Sequence, residues 1–377
     1  MTTSGIPYFK PSIGQSEVSA VVEVLESGWL TSGATTKEFE RAFADAVGAS
    51  HAIAVNSCTA ALHLGLVAAN IGPGDEVIVP TMTFAATAEV VAYTGADLVL
   101  VDVDADTVCI DPAKVQEAIT PRTRAVMPVH YGGQAAPMAE IIALAKAHGL
   151  WIVEDAAHAF PATYQGAPIG SIGDVTCFSF YANKTITTGE GGMLTTEDEE
   201  IADRIRLLSL HGLSRSAWRR WETRSAWDYD IVETGYKYNL TDIASAIGIE
   251  QLQRAQDLRS QRKVLAAEYD RLFDGSKIEP VVVSSPDDSA WHLYVIRVAN
   301  RAVRDRVIER LQQAEIGSSV HYKPLHLHPQ YEANFDRNSF PVASSLFDRI
   351  ISLPLFPGLT TDQVRIVAET CIAALDS

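Results

Sequence analysis

Short apolar runs alternate with helix-like segments between about residues 50 and 200. The runs are rich in Val and Ile, and several are apolar on both faces, as strands between two helical layers are. Between them, apolar residues recur at helical spacing in segments near Ala60, Pro137 and Asp198. This alternation predicts an α/β fold with a mostly parallel sheet and right-handed crossovers. The seven runs begin at His51, Glu76, Asp97, Arg124, Trp151, Val175 and Gly191.

The rest of the chain predicts a second, smaller domain. A helical stretch from Thr241 to about Phe273 is expected to link the two parts. The apolar runs and helical segments after it predict an α+β unit, and they begin near Trp291, Ala302, Gly317 and Thr361. With 377 residues, the chain is long enough for two domains. We therefore predict a large domain over residues 1–250 and a small one, with the linking helix, over residues 251–377.

The composition of the chain limits the kinds of partner and the location that we expect for the protein. The formal net charge of −17 argues against binding to nucleic acid or to an anionic membrane. The N-terminal sequence lacks the pattern of a signal peptide, and no apolar run reaches membrane-spanning length. The scattered cysteines have no metal-type or redox-type spacing and are expected to be reduced; they are Cys58, Cys109, Cys177 and Cys371. A soluble, cytoplasmic protein is predicted.

Two polar clusters follow predicted strands, where an open α/β sheet binds its ligands. Residues Asn56 to Thr59 follow the first run and begin a helix. Small hydroxyl side chains there cap free N–H groups, and the same N–H groups can hold a phosphate. Asp155 ends the fifth run and is either a helix N-cap or the partner of a ring nitrogen. In the second role, a buried carboxylate keeps the pyridine nitrogen of pyridoxal phosphate (PLP) protonated.

Lys184 follows the sixth apolar run and enters a loop rich in Thr and Gly. A loop lysine is usually solvated and idle, but the small neighbours here allow a bulky cofactor to approach the backbone. A partly desolvated lysine beside a cofactor stays neutral enough to form an imine. The last cluster, Gly235 to Asp242, begins the long helix, where Thr241 or Asn239 also suits an N-cap.

Together and in this order, these clusters resemble the DegT-type family of sugar-nucleotide aminotransferases, within PLP fold type I. The similarity extends from Glu26 to Phe356. It is closest to the enzymes that aminate C4 of a nucleotide-linked 4-keto sugar, including the UDP-4-amino-4-deoxy-L-arabinose aminotransferases. The run from Thr187 to Gly192 and the cluster that begins at Gly235 favour that branch. The implied fold is a large domain, with a seven-stranded, mostly parallel sheet between helices, and a smaller C-terminal α+β domain.

The resemblance implies a role for each matching residue. Lys184 would be the Schiff-base lysine and proton shuttle, Asp155 the partner of the pyridinium nitrogen, and His158 a neighbour of the ring hydroxyl. The phosphate would be held at the helix N-terminus, and Phe84 would stack on the ring. Asn239, together with Lys237, would reach the phosphate of the partner subunit in a homodimer. The implied cofactor contacts are Ser57, Cys58, Thr59, Phe84, Asp155, His158, Ser179, Lys184 and Asn239.

Substrate contacts are predicted from weaker signals. Arg215 lies in a basic and aromatic stretch that suits a nucleotide diphosphate, or equally a solvated surface loop. The resemblance places His321 and Tyr322 in the sugar-nucleotide pocket. The spacing of the histidines from His321 onward fits no common metal site, so no metal is predicted. The expected substrate contacts are Trp29 (or else a packed core tryptophan), Tyr181, Arg215, His321 and Tyr322.

The implied reaction has two halves. L-Glutamate gives its amino group to PLP, which leaves pyridoxamine phosphate (PMP), and the keto sugar then receives that group. The alternatives are a C3 sugar-nucleotide aminotransferase and a non-catalytic sugar-nucleotide-binding regulatory protein. The related sugar dehydratases carry a histidine where this chain has Lys184. A Rossmann oxidoreductase is excluded because Asn56 and its neighbours replace the glycine-rich turn after the first strand.

Overall fold

The computed structural model describes residues 5–213 and 229–375, and its central feature is a seven-stranded sheet. The strands are β1 (His51–Val55), β2 (Glu76–Pro80), β3 (Asp97–Val101), β4 (Thr123–Val126), β5 (Trp151–Asp155), β6 (Thr163–Tyr164), β7 (Ala167–Pro168), β8 (Val175–Ser179), β9 (Gly192–Thr196), β10 (Glu279–Pro280), β11 (Tyr294–Arg297) and β12 (Ile350–Leu353). The helices are α1 (Gln15–Ser27), α2 (Ala34–Val47), α3 (Cys58–Ala68), α4 (Ala85–Thr94), α5 (Pro112–Ala118), α6 (Met138–His148), α7 (Glu199–Ser209), α8 (Asp242–Gln253), α9 (Ala255–Phe273), α10 (Arg301–Gln313), α11 (Pro341–Phe347) and α12 (Thr361–Ala373).

The central sheet has the strand order β1-β9-β8-β5-β4-β2-β3. Its strands pair in parallel from β8 to β3, whereas β9 is antiparallel to both β1 and β8. All five residues of β2 are buried, as expected for a strand covered by helices on both faces. Each of the seven predicted runs contributes a strand, so the predicted fold class is confirmed.

Helix α3 crosses the centre of the sheet and is buried on almost every side. Its sequence is mostly apolar on every side, and a helix that is hydrophobic all round belongs in a core. Gly65 allows the close approach, since a Cβ atom there would lie 3.2 Å from Val153. The N-terminus of α3 is thereby held at the carboxyl edge of the sheet.

A second sheet, β10-β11-β12, lies in the C-terminal part of the chain. It shares a hydrophobic core with α9, α10 and α12, and this core contains Tyr269, Val307, Ile351 and Val367. The run from Gly317 forms no regular strand there. Its one described pairing is a bridge between Ser319 and Ser352 of β12.

The predicted helix from Thr241 to Phe273 is wrong in one respect, because it is two helices. Helix α8 ends at Gln253 and α9 begins at Ala255, with Arg254 at φ −99° and ψ 0° between them. The Arg254 guanidinium donates to Glu17 Oε1 (2.6 Å) and to Ser12 Oγ (2.7 Å). These contacts fix the junction against the N-terminal segment, and α9 continues into the C-terminal core. The division into two domains near residue 250 stays a prediction.

Among the described helices, none combines the length and the apolar character needed to cross a lipid bilayer.

Candidate active site

Three strand ends meet at the carboxyl edge of the sheet. Gly192, the first residue of β9, pairs with Val55 of β1 on one side and with Ser179 of β8 on the other. A Cβ atom at Gly192 would lie 2.5 Å from the carbonyl carbon of Ser57. Only a glycine therefore lets β9 approach the residues that begin α3. Ser57 and Ser179 consequently lie on either side of Gly192.

The start of α3 offers backbone donors at this place. Ser57 is the N-cap, and its hydroxyl accepts from the N–H of Ala60 at 3.1 Å. The N–H groups of Cys58 and Thr59 belong to the first turn, which has no acceptors within its own helix. A helix N-terminus with such groups is a ready anion site. The structure thus brings Ser57, Cys58, Thr59 and Ser179 together around the N-terminus of α3.

Lys184 lies in the turn after β8, where its backbone N–H donates to the carbonyl of Tyr181 at 3.0 Å. Burial lowers the pKa of the Lys184 ammonium to about 8, while Cys58 and Asp155 act in the opposite direction. About a tenth of the amines are therefore neutral at pH 7, and about half at pH 8. On either side, Asn183 Oδ1 and Thr185 Oγ1 are buried without a partner among the described residues.

Asp155 is 5% exposed at the end of β5. Its Oδ2 accepts from the hydroxyl of Thr87 at 2.8 Å, and its Oδ1 accepts from the N–H of Ala157 at 3.1 Å. Burial raises the pKa of the Asp155 carboxyl, against these two hydrogen bonds and the positive field of Lys184. No described helix begins directly after β5, so the helix-cap alternative for Asp155 is wrong.

His158 connects the sheet to the C-terminal part of the chain. Its Nδ1 accepts from the N–H of Gly132 at 3.4 Å, and its Nε2 lies 2.9 Å from the hydroxyl of Tyr322. Burial lowers the pKa of His158 well below its usual value, so the ring is neutral. With Nδ1 as the acceptor, the ring proton is on Nε2 and is donated to Tyr322.

His321 and Tyr322 close the site from the C-terminal part. His321 Nδ1 is 2.8 Å from the hydroxyl of Ser352, and burial lowers the pKa of this histidine to about 4. The hydroxyl of Tyr131 donates to the His321 carbonyl. The ring of Phe84, at the N-cap of α4, is 6.1 Å from the ring of Tyr322 and is 62% exposed. One face of Phe84 is therefore open for stacking.

The remaining predicted residues lie at the margins. Asn239 pairs with Val55 at the outer edge of β1, and its Nδ2 donates to the hydroxyl of Ser32 at 2.7 Å. Lys237 Nζ donates to the side-chain oxygen of Asn239. Trp29 is half-buried in the same region, where its indole N–H donates to the Ser32 carbonyl at 3.3 Å. Tyr181 is exposed two residues after the end of β8. Arg215 lies outside the described residues.

Sequence reasoning missed two residues of this site. His292 is 5% exposed, and its ring centroid is 4.4 Å from that of His158. Neither ring nitrogen of His292 has a partner among the described residues, and burial lowers its pKa well below the usual value. The sequence signal was a histidine near the start of the apolar run from Trp291. The second residue, Thr87, gave no signal because it lies within an ordinary helical segment.

These residues fit the predicted cofactor, pyridoxal phosphate. The glycine-lined N-terminus of α3 suits its phosphate, and the open face of Phe84 suits its ring. A buried carboxylate suits a protonated ring nitrogen, and a lysine of lowered pKa suits its aldehyde. The unpartnered polar atoms of Asn183, Thr185 and His292 point to a polar ligand at the same place.

Comparison with known proteins also indicates an enzyme that uses pyridoxal phosphate. The fold is that of the fold type I aminotransferases. The chain belongs to the DegT/DnrJ/EryC1/StrS aminotransferase family, whose profile matches residues 11–371. The resemblance inferred from the sequence is confirmed, and the chain is a sugar aminotransferase of this family.

Three relatives illustrate the extent of the similarity. The spore coat polysaccharide biosynthesis protein SpsC of Bacillus subtilis is 48% identical over 374 residues, which are 97% of this chain and 95% of SpsC. Spr1654 of Streptococcus pneumoniae, in a PMP form, superposes with a TM-score of 0.93 at 38% identity and covers 98% of this chain and 99% of its own. PseC of Helicobacter pylori, an aminotransferase involved in pseudoaminic acid biosynthesis, gives 0.92 at 29% identity, with 99% and 100% covered.

Proposed function

We propose that this enzyme transfers the amino group of L-glutamate to the C4 keto carbon of a nucleotide-diphosphate-linked 4-keto sugar. The cofactor is pyridoxal phosphate, since solved structures of the relative Spr1654 have a PLP form and a PMP form. The observation that carries the proposal is the convergence of Lys184 and Asp155 beside the N-terminus of α3. A desolvated lysine, a buried carboxylate and an anion site at one sheet edge are the groups that such a cofactor needs.

PLP, when bound, supplies an electron sink for the transfer of an amino group. Ser57, Thr59 and Ser179 would bind its phosphate, and Asp155 would hold a proton on its ring nitrogen. The Lys184 amine would hold the cofactor at its aldehyde. The same amine would take up and return the proton at the substrate carbon as a general base and acid. Its lowered pKa suits this exchange, because a general base acts best near the working pH.

Two half-reactions share one site in this proposal. L-Glutamate leaves as 2-oxoglutarate after the first half, and the keto sugar leaves as an amino sugar after the second. His321 and Tyr322 line the sugar pocket from the C-terminal part of the chain, and Tyr181 and Trp29 border it. Tyr322 is suited to contact a sugar oxygen, because it accepts from His158 and its own proton has no acceptor among the described residues.

The substrate assignment rests on the family and on the sequence. PseC is an aminotransferase involved in the biosynthesis of pseudoaminic acid, and SpsC is a spore coat polysaccharide biosynthesis protein. The run from Thr187 to Gly192 favours C4 over C3. In a chain with a net charge of −17, the basic and aromatic stretch around Arg215 suits a nucleotide diphosphate. We further propose a homodimer, in which Asn239 and Lys237 reach the partner subunit's phosphate site, and a cytoplasmic location.

A substrate panel tests this proposal. Enzyme loaded with PLP is incubated with L-glutamate and with UDP-, dTDP- and GDP-linked 4-keto or 3-keto sugars, and 2-oxoglutarate formation is measured. NMR of the product locates the new amino group. We expect turnover with 4-keto compounds and amination at C4. Amination at C3 would contradict the C4 assignment, and binding of the nucleotide sugars without turnover would support a regulatory protein instead.

A further inference from the structure

Two buried threonines hold the Asp155 carboxylate from the side of α4. The hydroxyl of Thr87 is 2.8 Å from Asp155 Oδ2, and the hydroxyl of Thr83 is 2.8 Å from that of Thr87. Thr87 is fully buried, and Thr83 is 2% exposed. The three side chains form a continuous, buried chain of hydrogen bonds.

The direction of this chain follows from the chemistry of its members. An ionised carboxylate only accepts hydrogen bonds, so Thr87 donates its single proton to Asp155. The oxygen of Thr87 is then free to accept, and Thr83 donates to it. The N–H of Ala157 serves the other oxygen, Oδ1. Each oxygen of Asp155 therefore has one fixed donor and keeps a lone pair for a further partner.

These donors support the charged form of Asp155 against its burial. Burial raises the pKa of the carboxyl, and the strongest opposing influence is the hydrogen bond from Thr87. The N–H of Ala157 and the positive field of Lys184 act in the same direction as Thr87. Hydrogen bonds to ionised groups are about twice as strong as neutral ones. Loss of the Thr87 hydroxyl therefore weakens the ionised form of Asp155.

Helix α4 couples this support to the ring-stacking position. Phe84 is the N-cap of α4, and Thr87 follows three residues later in its first turn. The backbone N–H of Thr87 donates to the Phe84 carbonyl at 3.3 Å. Residues three apart lie on the same side of a helix. One short turn thus presents a ring to the face of the cofactor and a hydroxyl to the carboxylate at its edge.

We propose that Thr87, supported by Thr83, is a positioning residue that orients the Asp155 carboxylate and keeps it charged toward the pyridine nitrogen of PLP. This inference rests on the proposed function and deepens it. Thr87 does not touch the cofactor; it acts through Asp155. Its effect is therefore on the protonation of the ring nitrogen, which depends on how strongly the carboxylate itself binds a proton.

The test compares Thr87→Val, which keeps the shape and removes the hydroxyl, with Thr87→Ser, which keeps the hydroxyl. Each variant is loaded with PLP labelled with ¹⁵N in the ring. The ¹⁵N chemical shift reports ring-nitrogen protonation, and a titration gives the PLP dissociation constant. Thr195→Val is the matched control, because Thr195 is fully buried and donates to the Gly170 carbonyl at 2.7 Å at the far end of β9.

In Thr87→Val we expect the ¹⁵N shift to move toward unprotonated pyridine and PLP to bind about tenfold more weakly, as for loss of a hydrogen bond to a charged group. Thr87→Ser should match the wild type, and Thr195→Val should leave both measurements unchanged. Thr83→Val should shift the signal in the same direction by less. If Thr87→Val kept the wild-type ¹⁵N shift and PLP affinity, the inference would be overturned. The same holds if Thr87→Ser changed both measurements as much as Thr87→Val.

The two proposals fail in different ways. A wild-type protein that does not bind PLP contradicts the proposed function and the inference together. A wild type that binds PLP with a protonated ring, beside a Thr87→Val variant with the same ring protonation, contradicts the inference alone. Thermal unfolding of each variant, set against Thr195→Val, identifies any loss that comes only from destabilisation.

Discussion

The Lys184 amine is held at a pKa of about 8 by burial, although Asp155 and Cys58 favour its charged form. Only the neutral amine attacks the aldehyde of PLP. We therefore expect the rate of PLP incorporation into the apoenzyme to rise with pH up to about 8 and to level off above it. Stopped-flow absorbance over a pH series measures this rate.

Asp155→Asn is the companion variant for this pH profile. It removes a negative charge that raises the Lys184 pKa, so the midpoint should move to lower pH. A midpoint close to 10.5, the ordinary value for lysine, in the wild-type profile would contradict the conclusion that burial lowers the pKa of Lys184.

Lys184 and Asp155 could be singled out from the sequence because Asp155 ends an apolar strand and Lys184 follows one into a loop of Thr and Gly. The resemblance to the family then gave each a role. The structure brings together residues that spacing alone does not connect. Thr87 and Asp155 are 68 positions apart in the chain, and Thr87 looks like any other polar residue of a helix. His292 likewise contacts His158 only through the fold. Contacts of this kind depend on how helices and loops lie over the sheet, which periodicity does not determine.

At the level of elements, the approach of β9 to α3 depends on Gly192. A Cβ atom there would lie 2.5 Å from the Ser57 carbonyl carbon, which is backbone and cannot move aside. We expect Gly192→Ala to lower the free energy of unfolding by about 1–3 kcal/mol. It should also weaken PLP binding, because the N-terminus of α3 is displaced. Denaturant unfolding and PLP titration measure the two effects.

Gly72→Ala is the control for that substitution. Gly72 has no atom closer than 3.9 Å to the added methyl group, so the change in stability should stay within about 0.5 kcal/mol. A Gly192→Ala variant as stable as Gly72→Ala, with wild-type PLP affinity, would show that this close approach is unimportant.

Strands and helices with a regular hydrophobic pattern could be predicted from the sequence. The positions where they end or break could be predicted less well. All seven strands of the central sheet follow from the apolar runs. The break at Arg254 does not, because both α8 and α9 carry helical periodicity and the break depends on contacts with Ser12 and Glu17. The segment from Gly317 was expected to form a strand, yet its one described pairing is at Ser319, just before the residues that reach the site.

At the scale of the whole molecule, we propose that each active site is shared between two subunits. Lys184 can be substituted independently of the pair Lys237 and Asn239, so a dimer built from two inactive variants tests whether the partner completes the site. In a hybrid of Lys184→Ala with Lys237→Ala/Asn239→Ala, one of the two sites has both intact sets. Random mixing should restore about a quarter of wild-type turnover.

The two parent homodimers are the controls for this complementation. Each should be nearly inactive in 2-oxoglutarate formation, and differently tagged chains allow the hybrid to be purified. Turnover no higher than the average of the parents would contradict a site shared across a dimer. A monomer by sedimentation would contradict the homodimer itself.

The account as a whole depends on Lys184 as the residue that binds PLP and passes the donor's amino group to it. The visible absorption spectrum of the PLP-loaded protein, before and after L-glutamate, tests this most directly beside Lys184→Ala. We expect a visible band from PLP bound covalently to the wild-type lysine, conversion to the PMP spectrum with glutamate, and no such band or conversion in the variant. A wild type without the band, or a Lys184→Ala variant that still shows it, would contradict the account.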